Sequence, residues 1–209
     1  MGTPKDSEVT RGKIIEAAGR LFAEKGFKAV TVREIVQLAD THLSALNYHF
    51  KGKEALYLAV VEDACRAVAS TESDQQALLA MPAKEALYYY VKGTLDEYGE
   101  SSELNWQYAL VSRNSVVPDE LSSDLILQHV KVELNFVAQL LGKAIGEEPT
   151  SDRVLFSVCS LMGLLDTVCL YGVAASSIAP SFAACMQQSD WVAKQVVTLV
   201  LAGAGELSA

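Results

Sequence analysis

Residues 31–53, TVREIVQLADTHLSALNYHFKGK, decide the fold because they predict two short helices joined by a tight turn. Thr31 and Glu34 have the T-x-x-E spacing of a capping box, in which each side chain binds a free backbone N–H at the helix start. Apolar residues follow at helical spacing: Val32, Ile35, Val36 and Ala39. Residues 40–42 interrupt this pattern with Asp, which tolerates a left-handed turn, and Thr, a good N-cap. A second helix is predicted over residues 43–50.

The second predicted helix has two chemically different halves. At about 100° per residue, one half can pack inward and consists of Ala45, Leu46, His49 and Phe50. The other half presents an aliphatic group, a hydroxyl, an amide and a phenol, from Leu43, Ser44, Asn47 and Tyr48. Amides and hydroxyls read base edges in the DNA major groove, and apolar groups meet the thymine methyl. The outward half is therefore predicted to lie in the major groove of DNA.

Individual DNA contacts follow from the chemistry of each side chain in this stretch. Phosphate contacts, which position a protein without specifying a sequence, are expected from Thr31, Arg33, Tyr48, His49 and Lys53. Ser44 and Asn47 are the candidates for base edges, with Leu43 beside them. His42 has two interpretations, a cap of the turn or a reader of bases. An ordinary exposed helix face is the alternative for the whole set, but the surrounding pattern favours DNA contact.

The order of residues from Thr31 to Lys53, continued by the helix opening KEALYLAV, resembles the DNA-binding domain of the TetR family of bacterial regulators. That family's pattern runs T-x-x-x-I-A-x-x-A-G-V-S-x-x-x-x-Y-x-H-F, then a basic residue and a helix opening K-E-x-L. The similarity covers about residues 10–65, under a third of the chain. Three residues stand where Gly, a small apolar residue and an aromatic are usual, namely Asp40, Thr41 and Asn47. The first two would loosen the turn slightly, and Asn47 would alter base preference.

The resemblance implies a domain organisation and a function. Residues 1–66 are expected to form a three-helix helix-turn-helix DNA-binding domain, and residues 67–209 a helical bundle for ligand binding and dimerisation. The expected protein is a cytoplasmic, homodimeric transcriptional regulator, more often a repressor than an activator in this family. Its partners would be double-stranded DNA and a small-molecule effector that the sequence does not identify. No cofactor or metal is expected.

The net charge of −9 argues at first sight against a nucleic-acid-binding protein. Its distribution answers the objection. Residues 1–66 hold 10 Lys+Arg and 9 Asp+Glu, whereas residues 67–209 hold 7 and 17. The acidic residues are thus concentrated away from the proposed DNA face, and non-specific affinity should be modest and strongly salt-dependent.

Helical periodicity continues along the chain without strand-like alternation, so an all-α fold is predicted. The other predicted helices cover about residues 10–25, 53–70, 82–101, 103–113, 120–145, 150–175 and 190–202. Residues 70–80 are predicted to be a polar bridge, and a break with a short turn is expected at residue 180.

Residues 154–175 are long and apolar enough to require a membrane check, because a spanning helix needs about 20 such residues. Asp166 near their middle would cost roughly 2.5–3.5 kcal/mol on insertion, and neither end carries a Lys/Arg cluster. We therefore predict no membrane association. A helix buried on all sides, at a subunit interface, fits this composition better.

A small-molecule site is suggested by aromatic residues of the second domain, namely Tyr88, Tyr89, Tyr90, Tyr98, Trp106 and Tyr108. Core packing is the more ordinary explanation, whereas a ligand pocket would use their apolar walls and hydroxyls. The candidate ligand-binding residues are Tyr88, Trp106, Tyr108, Arg113 and Asp166. Arg113 would anchor an anionic ligand or pair with a nearby carboxylate, and Asp166 would serve the pocket or an interface.

Two other classes of protein are less well supported by the sequence. A redox-sensing regulator would need an accessible thiol of low pKa beside positive charge, and Cys65 next to Arg66 is the one candidate. A small helical enzyme would need a nucleophile and a base. His129 is the only histidine of the second domain, and no such arrangement is visible, so an enzyme is not expected.

Overall fold

The computed structural model describes residues 4–98, 105–117 and 119–206, which form eleven α-helices and no strand. The helices are α1 Pro4–Lys25, α2 Val32–Leu38, α3 Leu43–Phe50, α4 Lys53–Val68, α5 Glu72–Ala80, α6 Ala83–Tyr98, α7 Asn105–Val116, α8 Ser123–Ile145, α9 Asp152–Ile178, α10 Pro180–Met186 and α11 Ser189–Glu206. The predicted all-α fold is confirmed. Residues 99–104 and the side chains of Tyr98 and Cys169 lie outside the described residues.

The chain divides into two compact units whose limits differ from the predicted domain boundary. The first unit comprises Met1–Ala69 and Leu104–Val130, and the second comprises Ser70–Glu103 and Lys131–Ala209. The predicted boundary after residue 66 lies close to the first break. The sequence prediction did not place α7 and the start of α8 with the N-terminal helices, yet α7 packs on α1 and α4.

The first unit has one apolar core to which α1, α2, α3, α4 and α7 all contribute. Its fully buried side chains include Ile14, Phe22, Ile35, Leu46, Leu56 and Leu110. Trp106 of α7 is also buried, and its indole N–H donates a 2.9 Å hydrogen bond to Glu16 Oε2 on α1. A Cβ on Gly19 would lie 2.3 Å from the indole ring, so α7 can approach α1 this closely only because residue 19 is glycine.

The second unit has a separate apolar core, built by α6, the later part of α8, α9 and α11. Its most deeply buried residues include Leu87, Val91, Phe136, Leu140, Leu141, Val154, Leu161 and Ala193. Lys143 fixes one edge of this unit, because its ammonium donates to the carbonyls of Leu79 and Met81 at 2.7 and 2.9 Å. These bonds hold the end of α8 to the junction between α5 and α6.

Three predicted segments differ from the structure. α1 begins at Pro4 rather than near residue 10, and proline is compatible with the first turn of a helix. The predicted polar bridge is wrong, because Glu72–Ala80 form α5 with Thr71 as its N-cap. None of the α5 residues is fully buried, so apolar periodicity could not reveal this helix. The expected break at residue 180 is instead the start of the short helix α10.

Over residues 152–168, where its side chains are described, the long apolar helix α9 buries one side and exposes the other. Val154, Val158 and Leu161 face the core, while Leu155 and Phe156 are 45% and 66% exposed. Burial of these residues on all sides, which the sequence analysis expects at a subunit interface, is therefore not reached in the single chain and stays a prediction. No helix in the described ranges is long and apolar enough to cross a membrane.

Candidate nucleic-acid interface

The helix-turn-helix begins with the predicted capping box, which the structure confirms. The Thr31 hydroxyl accepts from the Glu34 backbone N–H at 3.3 Å, and the Thr31 N–H donates to Glu34 Oε2 at 2.8 Å. The Thr31 hydroxyl proton also points to Glu34, and Lys25 donates to the same carboxylate at 3.0 Å. These hydrogen bonds, the one from the Thr31 side chain first, lower the pKa of Glu34 to about 2. The Thr31 hydroxyl thus caps the start of α2.

In the turn between α2 and α3, the residue with left-handed backbone geometry is not a glycine. Asp40 has φ +48°, as the sequence prediction allowed for Asp. The N-cap of α3 is His42 rather than Thr41, and in the described part of the chain the His42 side chain makes no capping hydrogen bond. The capping interpretation of His42 is therefore not supported. Its exposed imidazole is available to a partner.

α3 has the two halves that the sequence predicts. Leu46 and Phe50 are buried, Ala45 and His49 are half-buried, and the Arg11 guanidinium lies 5.4 Å from the Phe50 ring centroid.

All four residues of the outward half are exposed to solvent. Leu43 is 55% exposed and Tyr48 77%, and Ser44 and Asn47 are exposed as well. Because Leu46 and Phe50 anchor the inner half, the direction of the outward half is fixed.

The corner between α3 and α4 presents a cation at a helix start. Lys51 and Gly52 have φ +59° and +143°, and Lys51 N–H caps α3 by donating to Asn47 O at 3.0 Å. Lys53 is then the first residue of α4, half-buried, with its ammonium 4.3 Å from the Phe27 ring centroid. Unpaired N–H groups at a helix start favour anions, as does a lysine. This corner therefore suits a phosphate group.

Behind this corner lies a buried polar network that the sequence analysis missed. The Tyr57 hydroxyl of α4 donates to Asp119, and lies 3.1 Å from Asn114 Oδ1 and 3.5 Å from Ser122 Oγ. Burial raises the pKa of Tyr57 to about 12, with the Asp119 carboxylate adding to it. Burial disfavours ionised Asp119 too, but hydrogen bonds from Tyr57, Ser122 and Leu121 hold the pKa of Asp119 below its ordinary value. From the sequence, an Asp shortly before a helix indicates a capping residue, but it does not indicate the hydrogen bond to Tyr57.

The five candidate ligand-binding residues do not belong to one compact unit. Trp106, Tyr108 and Arg113 lie on α7 in the first unit, whereas Tyr88 and Asp166 lie on α6 and α9 in the second. Trp106 and Tyr108 are buried, and Trp106 is part of the apolar core. The site made of all five residues stays a prediction.

Two polar atoms of these ligand candidates already have protein partners. The Tyr88 hydroxyl donates to Asp190 Oδ1 at 2.5 Å, and the Trp106 indole donates to Glu16. The Arg113 guanidinium covers the turn after α1, since a Cβ on Gly26 would lie 2.6 Å from its Nη2. A ligand using Tyr88 or Trp106 as donors would have to displace these carboxylates.

The redox-sensing alternative fails at the thiol it requires. Cys65 is buried, and burial raises its pKa to about 11. A redox sensor needs the opposite, an accessible thiolate at neutral pH. Cys159 is exposed and Cys185 is half-buried, and both are free thiols.

Comparison with known proteins identifies relatives of the N-terminal part. Residues 14–60 match the model for "Bacterial regulatory proteins, tetR family". The chain is similar to the probable HTH-type transcriptional regulator YttP of Bacillus subtilis, with 39% identity over 83 residues that cover 34% of this chain and 40% of YttP. It is also similar to the HTH-type transcriptional repressor KstR2 of Mycolicibacterium smegmatis, 36% identical over 61 residues, 29% of this chain and 30% of KstR2. The matches span less than half the length of these relatives.

The fold of the whole chain is similar to solved structures. A TetR-like transcriptional regulator from Rhodococcus sp. RHA1 superposes with a TM-score of 0.69 and 15% identity, covering 94% of this chain and 96% of that one. At this identity the likeness concerns the fold alone. The relatives are transcriptional regulators and not enzymes, in agreement with the expectation from the sequence.

Proposed function

We propose, on the premise that this chain belongs to the TetR family of bacterial regulators, that it represses transcription as a homodimer which leaves its operator when a small molecule binds. The observation that carries the DNA-binding part is the outward half of α3, a set of exposed polar side chains on a helix whose inner half is locked in the core. Such a regulator acts in the cytoplasm, where bacterial DNA lies.

In the proposed complex, α3 enters the major groove, which is wide enough for one α-helix. Ser44 and Asn47 read base edges, and Leu43 meets a thymine methyl. Lys53 binds a phosphate together with the free N–H groups of α4, because charge and helix dipole act in the same direction there. The remaining candidate contacts to the phosphate backbone or groove edge are Thr31, Arg33, His42, Tyr48 and His49.

The proposed dimer interface lies on the outer faces of α9 and α11. Leu155 and Phe156 on α9 and Leu199 on α11 are large apolar side chains left exposed by the single chain. A patch of this kind on helices that also form the core suits a self-complementary two-fold interface. The two copies of α3 would then read half-sites about 34–36 Å apart, or a multiple of this spacing, in a near-palindromic operator.

The effector is proposed to act through the spacing of the two reading helices. A small molecule changes DNA affinity only if it prefers one of two arrangements of the dimer. Its binding is assigned to residues 67–209 by the resemblance to the family, with the five candidate residues as a starting set. α4 leads from the proposed phosphate contact into the core and is the proposed lever for this change.

DNA binding is tested by fluorescence anisotropy with duplexes from upstream of the protein's own gene. We expect Asn47→Ala to relax preference at particular bases. Lys53→Ala should weaken binding to all duplexes and reduce the salt slope by about one. Gln139→Ala, on the exposed surface of α8, is the control and should change neither. A wild-type protein that ignores these duplexes at low ionic strength would refute the proposal.

The dimer is tested through Phe156 and the exposed thiol of Cys159, which lie three residues apart on one face of α9. A dimer through this face predicts slow reaction of Cys159 with a thiol reagent. Phe156→Glu should produce monomers in sedimentation experiments and speed the Cys159 reaction. Leu127→Glu introduces a charge at an exposed apolar residue of α8 and should leave the dimer intact. If Leu127→Glu dissociated the dimer and Phe156→Glu did not, the interface would lie on α8 and not on α9.

The effector is tested by a thermal-shift screen of small molecules. A true effector must both raise the melting temperature and release the protein from its duplex, since the two effects are linked through one binding equilibrium. Compounds that stabilise the protein without changing DNA affinity would be ligands but not effectors.

A further inference from the structure

We propose that Phe27 and Tyr57 are positioning residues that hold the Lys53 ammonium in place for its contact with a DNA phosphate. The inference rests on the proposed DNA-binding function and adds two residues that do not themselves touch DNA. It is carried by the packing around the start of α4, all of it within the first compact unit.

The first observation is the contact between Lys53 and an aromatic face. The Lys53 ammonium lies 4.3 Å from the Phe27 ring centroid, within the range of a favourable cation–π interaction. Phe27 follows Gly26 in the turn after α1 and is half-buried against the core. The ring therefore gives the lysine a defined resting place on a rigid surface.

The second observation is that Phe27 is itself held by Tyr57. The two ring centroids are 4.8 Å apart, and Tyr57 also packs edge-on against Phe22 at 4.9 Å. Lys53 and Tyr57 are four residues apart on α4, so they lie on the same face of that helix. Phe27 thus contacts both members of an i,i+4 pair, and movement of Tyr57 would disturb the seat of Lys53.

The third observation is the network that fixes Tyr57. Only 1% of Tyr57 is exposed, and its hydroxyl meets Asp119, Asn114 and Ser122. Asp119 is in turn held by the backbone N–H groups of Leu121 and Ser122, both at 2.9 Å. A buried tyrosine with this many partners has one position, which it imposes on the Phe27 ring.

The physical consequence concerns the entropy of Lys53. A free lysine side chain has many rotamers, and fixing it on a phosphate costs conformational entropy at the moment of binding. A lysine already seated on an aromatic ring loses less, so the same charge binds DNA more tightly. The ordering cost usual for one long side chain at an interface corresponds to about a two- to tenfold change in affinity, so partial loss of this pre-organisation should weaken binding about two- to fivefold.

The main test replaces the ring and keeps the lysine. Binding of a short mixed-sequence duplex is measured by anisotropy over a series of salt concentrations, because a phosphate contact needs no operator. Phe27→Leu should weaken binding two- to fivefold with little change in salt slope, since the charge remains. Phe27→Tyr retains the ring face and should restore wild-type affinity. Melting curves establish that each variant is folded under the assay conditions.

A double-mutant cycle separates positioning from a general structural effect. In a Lys53→Ala background, Phe27→Leu should cause no further loss of affinity. In an Arg33→Ala background, which removes an exposed cation of α2, Phe27→Leu should weaken binding by the same factor as in wild type. Equal losses in all three backgrounds would overturn the inference, because Phe27 would then act on the whole unit. Tyr57→Phe, which deletes only the hydroxyl, should show the same dependence on Lys53 with a smaller effect.

The outcomes distinguish this inference from the proposed function. If Lys53→Ala leaves affinity and salt slope unchanged, the phosphate contact itself is absent and the proposed interface fails. If Lys53→Ala lowers both but Phe27→Leu changes neither, the interface stands and the positioning role is refuted.

Discussion

In the first compact unit, buried polar groups fix how the helices pack, whereas the second unit depends mainly on apolar side chains. Trp106 is bonded to Glu16, and Tyr57 to Asp119, in a core that also contains Phe22. The second core is made of Leu, Val and Ala with few aromatic residues. Directional bonds allow few arrangements, while apolar packing tolerates several. The second unit also has directional bonds, such as the one from Tyr90 to Glu133, but in the unit that carries α3 they reach buried polar side chains, among them Asn114 and Ser122.

The outer surfaces of the two units differ in the same sense. The exposed half of α3 offers hydroxyl, amide and phenol groups, which suit a hydrated and charged partner. The exposed face of α9 offers Leu155 and Phe156, which suit a partner that excludes water. The two units are therefore expected to respond differently to mutation.

The largest effect is expected at Trp106. Trp106→Ala removes a buried ring that joins α7 to α1, and we expect a loss of about 3–5 kcal/mol in the free energy of unfolding. Trp106→Phe keeps part of the ring and should lose clearly less. Denaturant curves followed by circular dichroism measure both. The other tryptophan, Trp191, lies in the second unit, and its fluorescence shows whether that unit stays folded. A loss below about 1 kcal/mol for Trp106→Ala would remove the contrast between the units.

Two helical glycines should respond to alanine with opposite sign. At Gly19 an added Cβ meets the Trp106 ring. The overpacking should cost about 1–3 kcal/mol of stability, which exceeds the gain in helix propensity, so Gly19→Ala should destabilise the protein. At Gly93 of α6 nothing lies within 4 Å, so Gly93→Ala should stabilise the protein by up to about 1 kcal/mol. Melting temperatures decide between them. Stabilisation by both substitutions would mean that α7 shifts enough to accommodate the added methyl group at residue 19.

Removing a helix cap should cost more in the first unit than in the second. Thr31→Ala deletes the capping box of α2 and should lower stability by about 1 kcal/mol. Thr71→Ala deletes the cap of α5. Because α5 has no fully buried residue, fraying of its start should lower the free energy of unfolding by at most a few tenths of a kcal/mol. Equal losses, measured by urea denaturation, would contradict this.

The capping box also gives a pH dependence. Its partner Glu34 has a pKa lowered to about 2, so the stability from this ionised carboxylate is fully present above its ordinary pKa of 4.5. That stability is lost as the pH falls through 2. The difference between wild type and Glu34→Gln should therefore shrink between pH 4.5 and 2. A difference independent of pH would assign the role of Glu34 to packing.

The smallest effect is expected at Glu133 in the second unit. Burial raises the pKa of Glu133, against hydrogen bonds from Tyr90 and Ser70 that lower it. A raised carboxyl pKa means that stability falls as the pH rises through the folded pKa. Glu133→Gln should therefore raise the melting temperature by about 1–3 °C at neutral pH and by less near pH 4. The exposed Glu148→Gln is the control and should change little at either pH. A gain that grows on acidification would refute this assignment.

The parts of the fold predicted correctly from the sequence are those decided by neighbours along the chain. The Thr31–Glu34 box, the left-handed Asp40 and the two halves of α3 depend on residues within one or two turns of each other. For the DNA contacts this was sufficient to predict which side chains are exposed, because a short helix with Leu46 and Phe50 inward leaves one possible outward face.

The remaining features depend on where distant segments meet. Nothing local shows that α7 packs on α1, so the sequence left Trp106 between core packing in the second domain and a ligand pocket, and its place in the core of the first unit was not predicted. The Tyr57 network joins residues 57 to 65 positions apart, which no periodicity reports. α5 was missed because a surface helix held by a cap and a few partly buried leucines has no apolar stripe.

The backbone at Lys51 and Gly52 has a consequence for how such a protein can change over generations. These two positive φ angles set the bend between α3 and α4 without help from the four outward side chains of α3. Those side chains can therefore be exchanged while the helix keeps its aim. The residues that select the DNA sequence therefore differ from those that set the geometry of the helix-turn-helix. Selection or an engineer can change the operator preference without changing the bend between α3 and α4.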